Sequence, residues 1–272
     1  MIPALSGLAD EALLLAGGGR AILLQLADPA IGHAVAEHSD FASDPLKRLR
    51  NTLTYVYALV YGTDEQVAAV RRMVQVAHAP VRSERDADIQ YDASDPRLQL
   101  WVAATLYETA IALYERVLGP LPEHEAELVY REYAVIGTAL GMPRELWPAD
   151  RAAFARYWDE KVATLRVDDT VRAVSVQLLH PRTGPLWMRA AMPLVRIATA
   201  GQLSPELRAA YGLEVSERRY ERLMRVTTAI YPHLPRRLRR APRVHYLRRL
   251  DAPRALSGGA TRRCARRSAV RR

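Results

Sequence analysis

The segment "SDPRLQLWVAATLYETAIALYERVLGP", residues 94–120, decides the fold of this chain. It is the longest stretch whose apolar side chains recur with the period of an α-helix, so it predicts one long helix. The predicted inward stripe consists of Leu98, Trp101, Val102, Thr105, Leu106, Thr109, Leu113 and Val117.

Two more helices precede this segment. "DPLKRLRNTLTYVYALVYG", residues 44–62, has a proline near its start and a glycine at its end, the asymmetry that helices favour. The next helix begins at Thr63, which forms a capping box with Gln66, and Pro80 ends it. Further helices are predicted at about 123–140, 149–166, 169–179, 186–200, 204–211 and 216–231. Strand alternation is almost absent, so the sequence predicts a single all-α domain of about ten helices.

Composition narrows the class of protein. Hydrophobic residues make up 49% of the 272, which is typical of a globular protein. No apolar run reaches the roughly 18–20 residues that span a bilayer. The N-terminal apolar stretch has no basic residue before it, whereas a secretory signal normally has one, so we expect a cytoplasmic protein. The single cysteine, Cys264, excludes an intrachain disulfide and a cluster held by several thiolates.

Positive charge is concentrated at the C-terminal end. Residues 236–272 contain fourteen arginines and one acid, so the net charge of this segment is +13. The whole chain has a net charge of +9, so residues 1–235 have a net charge of −4. We therefore expect a helical domain over residues 1–235 and a basic tail over residues 236–272. Such a tail either contacts nucleic acid or an anionic membrane, or is simply a solvated extension.

Several common catalytic motifs are missing from the sequence. No histidine has a glutamate three residues before it, so a carboxylate-bridged di-iron bundle is not indicated. A His-Glu-x-x-His zinc motif, a phosphate-binding glycine loop and a Gly-x-Ser-x-Gly nucleophile motif are also absent. The adjacent Asp168 and Asp169 make only a weak match to a magnesium-binding aspartate pair.

The remaining cluster lies on the helices before and after the turn at residues 62–63. Arg48 and Thr52 are four residues apart and share a helix face, and His78 ends the second helix. At about 1.5 Å per residue, Arg48 and His78 each lie roughly 21–22 Å from the turn, so both can reach the same ligand. This pairing suits a haem, whose iron an imidazole ligates and whose propionate a guanidinium pairs with. A capping or packed core histidine is an open alternative for His78.

The order of motifs resembles a known family. The motifs are "DP" at 28–29, "AEHSDF" at 36–41, "DPLKRLRNTLTYVYALVYGT" at 44–63, "VAHAPV" at 76–81, "YDASDPRLQLWVAATL" at 91–106 and "ALGMP" at 139–143. Together they resemble the family of the fungal MpaB oxygenase and the bacterial latex-clearing protein, a rubber oxygenase. The resemblance covers roughly residues 17–235.

The resemblance implies an all-helical fold with globin-like packing around one haem b. It also implies an O₂-dependent cleavage of a carbon–carbon double bond in an isoprenoid chain. His78 matches the proximal iron ligand, and Arg48 and Thr52 match a pair that lines the haem pocket and takes part in catalysis. Glu37 lies where the family places an acidic residue near the distal oxygen, and would take an allylic proton. Since no signal is evident, we expect an apolar or lipid-like small-molecule substrate inside the cell.

The alternative hypothesis is a non-catalytic helical binding protein whose basic tail contacts nucleic acid or an anionic membrane. The other six histidines, among them His33 and His38, are expected to be surface or structural residues. Trp101 and the tyrosines at 55, 57 and 61 are expected to be core or pocket-wall residues.

Overall fold

The computed structural model describes residues 3–38 and 46–251. Its helices are α1 (Pro3–Ala9), α2 (Gly18–Leu26), α3 (Pro29–His38), α4 (Lys47–Tyr61), α5 (Asp64–His78), α6 (Pro96–Leu118), α7 (Glu123–Tyr133), α8 (Val135–Thr138), α9 (Arg151–Thr164), α10 (Asp169–Leu179), α11 (Leu186–Gly201), α12 (Pro205–Tyr211), α13 (Glu217–Ile230), α14 (Arg236–Arg239) and α15 (Ala241–Asp251). Three short 3₁₀ helices lie at Ala12–Gly17, Arg144–Leu146 and Tyr231–His233. The described residues contain no β-strand, only an isolated bridge between Arg82 and Asp92. The all-α prediction is therefore confirmed, whereas the haem pocket and the globin-like packing stay predictions.

Helix α6 forms the centre of the molecule. The side chain of Asp95 caps its first turn, and Gly119 ends it with a φ of +92°, a conformation that favours glycine. Trp101 is completely buried, and its indole N–H donates to the carbonyl oxygen of Leu24 in α2 at 3.1 Å. Because α6 is covered by neighbours along most of its length, burial extends beyond one stripe.

The predicted inward stripe of α6 therefore divides into two parts. Five of its members are buried in the core: Trp101, Thr105, Thr109, Leu113 and Val117. The other three, Leu98, Val102 and Leu106, are only half-buried, because they line a cavity.

Helices α4 and α5 form a tight antiparallel pair. Thr63 and Gln66 make both hydrogen bonds of a capping box, as predicted. Helix α5 ends at His78, two residues before Pro80, which also agrees with the prediction. The chain then folds back, and the pairing of Arg82 with Asp92 holds the returning segment beside the end of α5.

The first part of the predicted tail is helical and packs against the body. Arg239 donates to Glu11, Arg243 donates to Asp10, and the ring of Tyr246 stacks on Tyr57 with 5.7 Å between centroids. The domain boundary at residue 235 stays a prediction, but residues 236–251 are not a free extension. The rest of the tail, including Cys264, lies outside the described residues.

No helix among the described residues is both long and apolar enough to cross a lipid bilayer.

Candidate functional site

A cavity of about 530 Å³ lies between α2, α3, α4, α5, α6 and α8. This volume is in the range of small-molecule and cofactor sites. Most of its wall is apolar, with Ile31, Val35, Val74, Leu98, Val102 and Leu106 among the lining residues. The polar side chains on the wall are Gln25, His38, Lys47, Arg48, Asn51, Thr52, Tyr55, His78 and Gln99.

The structure brings three of the four predicted site residues together on this wall. Arg48 and Thr52 line the cavity from α4, and His78 lines it from the last turn of α5. The fourth, Glu37, is exposed near the end of α3 and does not belong to the wall. Its carboxylate accepts a hydrogen bond from the hydroxyl of Tyr91.

Burial governs the charge of the two main polar groups. Burial lowers the pKa of His78, and the positive charge of Arg48 lowers it further. The imidazole is therefore neutral at neutral pH, so one ring nitrogen keeps a free lone pair. Burial also lowers the pKa of Arg48 to about 10, which leaves the guanidinium charged at neutral pH.

Arg48 is held by a chain of hydrogen bonds. Its Nη2 donates to Oε1 of Gln25 at 3.1 Å, and Nε2 of Gln25 donates to Oγ1 of Thr105 at 3.0 Å. The Thr105 hydroxyl in turn donates to the carbonyl oxygen of Val102 at 2.8 Å. This chain fixes which end of the Gln25 amide faces the guanidinium. Among the described residues, Arg48 forms no ion pair with a carboxylate, so its charge suits an anionic ligand.

Sequence reasoning missed Gln25 and His38 as residues of the wall. Gln25 is 4% exposed and is the single polar residue within the run Ala21–Ala27. A lone polar residue in an apolar helix must find a buried partner, so this signal could have been used. His38 was expected to be a surface or structural residue; it is exposed, and from the end of α3 it also lines the cavity.

Comparisons with known proteins identify the family of the chain. A family model described as the catalytic domain of ER-bound oxygenase mpaB/B′ and rubber oxygenase matches residues 6–229. The chain belongs to this family. An uncharacterized protein of Mycobacterium bovis is 38% identical over 223 residues, which cover 78% of this chain and 88% of the relative. An uncharacterized protein of Mycobacterium tuberculosis matches to the same extent. No solved structure gives a significant match.

Membership in the mpaB/rubber oxygenase family sets the general class of activity. The matched model is that of an oxygenase catalytic domain, which makes the chain an oxygenase-type enzyme that uses O₂ and a substrate. All six cavity-forming helices lie within residues 6–229. The family match therefore covers the whole candidate site.

Proposed function

We propose that this member of the mpaB/rubber oxygenase family is a haem b-dependent oxygenase that cleaves a carbon–carbon double bond in an apolar, isoprenoid-like substrate. The observation that carries the proposal is the pairing of His78 and Arg48 on the wall of one apolar cavity. A haem iron takes a single proximal histidine from the protein, and its propionates pair with basic side chains. No group of three or more His, Cys, Asp or Glu in the described ranges could hold a metal by itself, and a haem site does not require one.

The residues present fit a haem in three respects. The lowered pKa of His78 leaves a neutral imidazole, the form that ligates iron. The guanidinium of Arg48 is fixed by Gln25, and its charge suits a propionate. The apolar side chains of the wall exclude water and suit both a macrocycle and an isoprenoid chain.

In the proposed mechanism, a haem bound by His78 supplies the oxygen chemistry. Arg48 and Thr52 orient polar groups at the cavity wall, and the apolar side chains hold the alkene. Glu37 is proposed to act in proton transfer, although it lies outside the wall. Two carbonyl fragments are the expected products.

The first test is the absorption spectrum of the protein loaded with haem. We expect about one haem per chain and a strong Soret band for the wild type. His78→Ala should lose or shift that band. Arg48→Gln should weaken haem binding by about 10- to 150-fold, since a charged hydrogen bond is worth about 1.5–3 kcal/mol. Arg72→Gln, an exposed change on the same helix as His78, is the matched control and should bind haem as the wild type does.

A wild type that stays colourless after reconstitution would refute the haem proposal. If haem binds, O₂ consumption with a linear isoprenoid such as squalene tests the reaction. The expected aldehyde and ketone products can be trapped with a hydrazine reagent. Haem binding without carbonyl products from any isoprenoid would refute the proposed reaction and leave the cofactor in place.

The alternative, a binding protein whose tail contacts nucleic acid or an anionic membrane, depends on residues 252–272, which lie outside the described residues. Seven of the fourteen tail arginines lie within residues 236–251, which pack on the body, and three of these seven pair with Asp10 or Glu11. Neutralised arginines attract an anionic surface less strongly. The enzyme hypothesis is therefore preferred.

A further inference from the structure

The end of α3 and the segment that follows α5 bring together three side chains. His38 Nε2 lies 3.1 Å from the hydroxyl oxygen of Tyr91, and the two rings meet edge to face with their centroids 5.8 Å apart. The same hydroxyl donates to Oε2 of Glu37 at 2.5 Å. His38 lines the cavity, whereas Glu37 does not. Starting from the cavity, the three groups therefore follow in the order imidazole, phenol and carboxylate.

We infer that His38 is the proton-accepting side chain of the cavity, and that Tyr91 and Glu37 are positioning residues that hold its imidazole with the lone pair on Nδ1. For its catalytic meaning this inference rests on the proposed function. The arrangement of the three side chains can be tested in the protein without haem.

Tyr91 is held firmly in place. It is 6% exposed, its backbone N–H donates to the side chain of Ser83, and its carbonyl oxygen accepts from the N–H of Ser83 at 2.9 Å. Burial raises the pKa of Tyr91 to about 12, and the hydrogen bond to Glu37 contributes in the same direction. The phenol therefore keeps its proton at neutral pH and can act as a donor and an acceptor at once.

Counting protons fixes the tautomer of His38. A phenol has one proton, and a carboxylate can only accept, so the Tyr91 proton lies toward Glu37. The contact between Tyr91 and His38 is then a hydrogen bond only if Nε2 of His38 carries a proton and donates it. A neutral imidazole with its proton on Nε2 has its lone pair on Nδ1.

This arrangement supports acid–base chemistry. When Nδ1 accepts a proton from a molecule in the cavity, the imidazole becomes an imidazolium, and the bound molecule is left with one negative charge more. In that state Nε2 still donates to the Tyr91 oxygen, and the carboxylate of Glu37 lies beyond it. His38 is exposed to solvent, so water can remove the proton afterwards. Glu37 thus contributes through Tyr91 rather than by touching the substrate.

The decisive measurement is the tautomer of His38 in the full chain without haem. Protein labelled with ¹⁵N-histidine is examined by long-range ¹H–¹⁵N correlation at a pH where the ring is neutral, and His38→Gln assigns the signal. We expect the proton on Nε2 in the wild type and a loss of this preference in Tyr91→Phe.

His33, on the same helix, provides an internal control. Its Nε2 lies 2.7 Å from a carboxylate oxygen of Asp168, so it should also carry its proton on Nε2 and should not respond to Tyr91→Phe. A proton on Nδ1 of His38, or a His38 tautomer that is unchanged in Tyr91→Phe, would overturn the arrangement.

The second measurement is turnover by the haem-loaded enzyme. General acid–base groups contribute about 10²–10⁴-fold, so His38→Gln should lower kcat by that factor with little change in KM or in the Soret band. Tyr91→Phe should lower kcat by less. An unchanged kcat in His38→Gln, or a loss of haem from that variant, would overturn the acid–base role. A wild type that turns over no isoprenoid would refute the proposed function, while the tautomer would still decide whether the three side chains act as a unit.

Discussion

His78 is half-buried in the cavity wall, where burial and the charge of Arg48 both lower its pKa. The ordinary pKa of histidine is about 6.5, and this is the value expected in the unfolded chain. Between the two pKa values the unfolded chain binds more protons than the folded protein. The free energy of unfolding should therefore fall as the pH drops below about 6.5, until the pKa of the folded state is passed.

This gives a pH-dependent prediction at the scale of one residue. In urea unfolding at pH 8, 6.5 and 5.5, the wild type should lose stability relative to His78→Gln as the pH falls, by at most about 1.4 kcal/mol per pH unit. His124→Gln is the control, because His124 is largely exposed. Stability that falls in parallel in the wild type and in His78→Gln would contradict the lowered pKa of His78.

The sequence predicts some contacts of single residues and not others. The positions of Arg48 and His78 follow from helical rise along two helices joined by a short turn, so their common placement could be anticipated. The contacts of Gln25 with Thr105 and of Tyr91 with Glu37 join residues 80 and 54 positions apart. No periodicity within one helix contains such information, and these partners appear only when the helices are packed.

At the scale of helices, the close crossing of α2 and α11 depends on the glycine at position 19, which has no side chain. A Cβ added at Gly19 would lie 2.0 Å from Oγ1 of Thr199 and 3.0 Å from its Cβ. Thr199 is 1% exposed, and its hydroxyl has no hydrogen-bond partner in the described residues. The two helices can approach this closely only because residue 19 is glycine.

Gly19→Ala should therefore destabilise the protein despite the better helix propensity of alanine. Overpacking of this kind costs about 1–3 kcal/mol, which exceeds the gain of up to about 1 kcal/mol from propensity. Gly7→Ala is the matched control: a Cβ at this position in α1 meets nothing within 4 Å, so it should stabilise the protein by roughly 0.5–1 kcal/mol. Both values can be measured by urea unfolding. An equal gain at the two positions would show that α2 and α11 are not in close contact.

Between residues 44 and 231, helix positions were the most predictable feature of the fold, whereas α1, α2, α3, α14 and α15 were not predicted. The capping box at Thr63 and the stop before Pro80 are local signals, and the structure contains both. Whether an apolar helix face packs in the core or lines a cavity was less predictable, as α6 illustrates. Leu98, Val102 and Leu106 share the predicted stripe with Trp101, yet they line the cavity instead of the core. Apolar spacing indicates burial, but it does not distinguish a packed core from the wall of a cavity.

At the scale of the whole molecule, the two ends of the described chain are joined by ion pairs whose acidic members are buried. Arg239 pairs with Glu11, and Arg240 and Arg243 pair with Asp10. The two acidic side chains are about 9–10% exposed, so removing their partners would leave buried charges uncompensated. The hydroxyl of Tyr231 also donates to Glu11, at 2.8 Å.

Two shortened chains test this arrangement. A chain that ends at Pro235 should lose about 3–5 kcal/mol or fail to fold, because Asp10 and Glu11 lose their arginines. A chain that ends at Asp251 keeps every one of these pairs and is the control. Asp10→Asn with Glu11→Gln should recover part of the loss in the shorter chain, since a buried amide costs less than a buried carboxylate. Identical urea midpoints for the two shortened chains would contradict the role of the pairs.

The pairing of Glu11 with Arg239 has a consequence for synthesis on the ribosome. The two residues are 228 positions apart, so the acidic side chains leave the exit tunnel long before their partners are made. Until then, closing the first helices over Glu11 would bury a charge that has no partner, which is unfavourable. We therefore expect the N-terminal helices to complete their packing only after most of the enzyme has been translated.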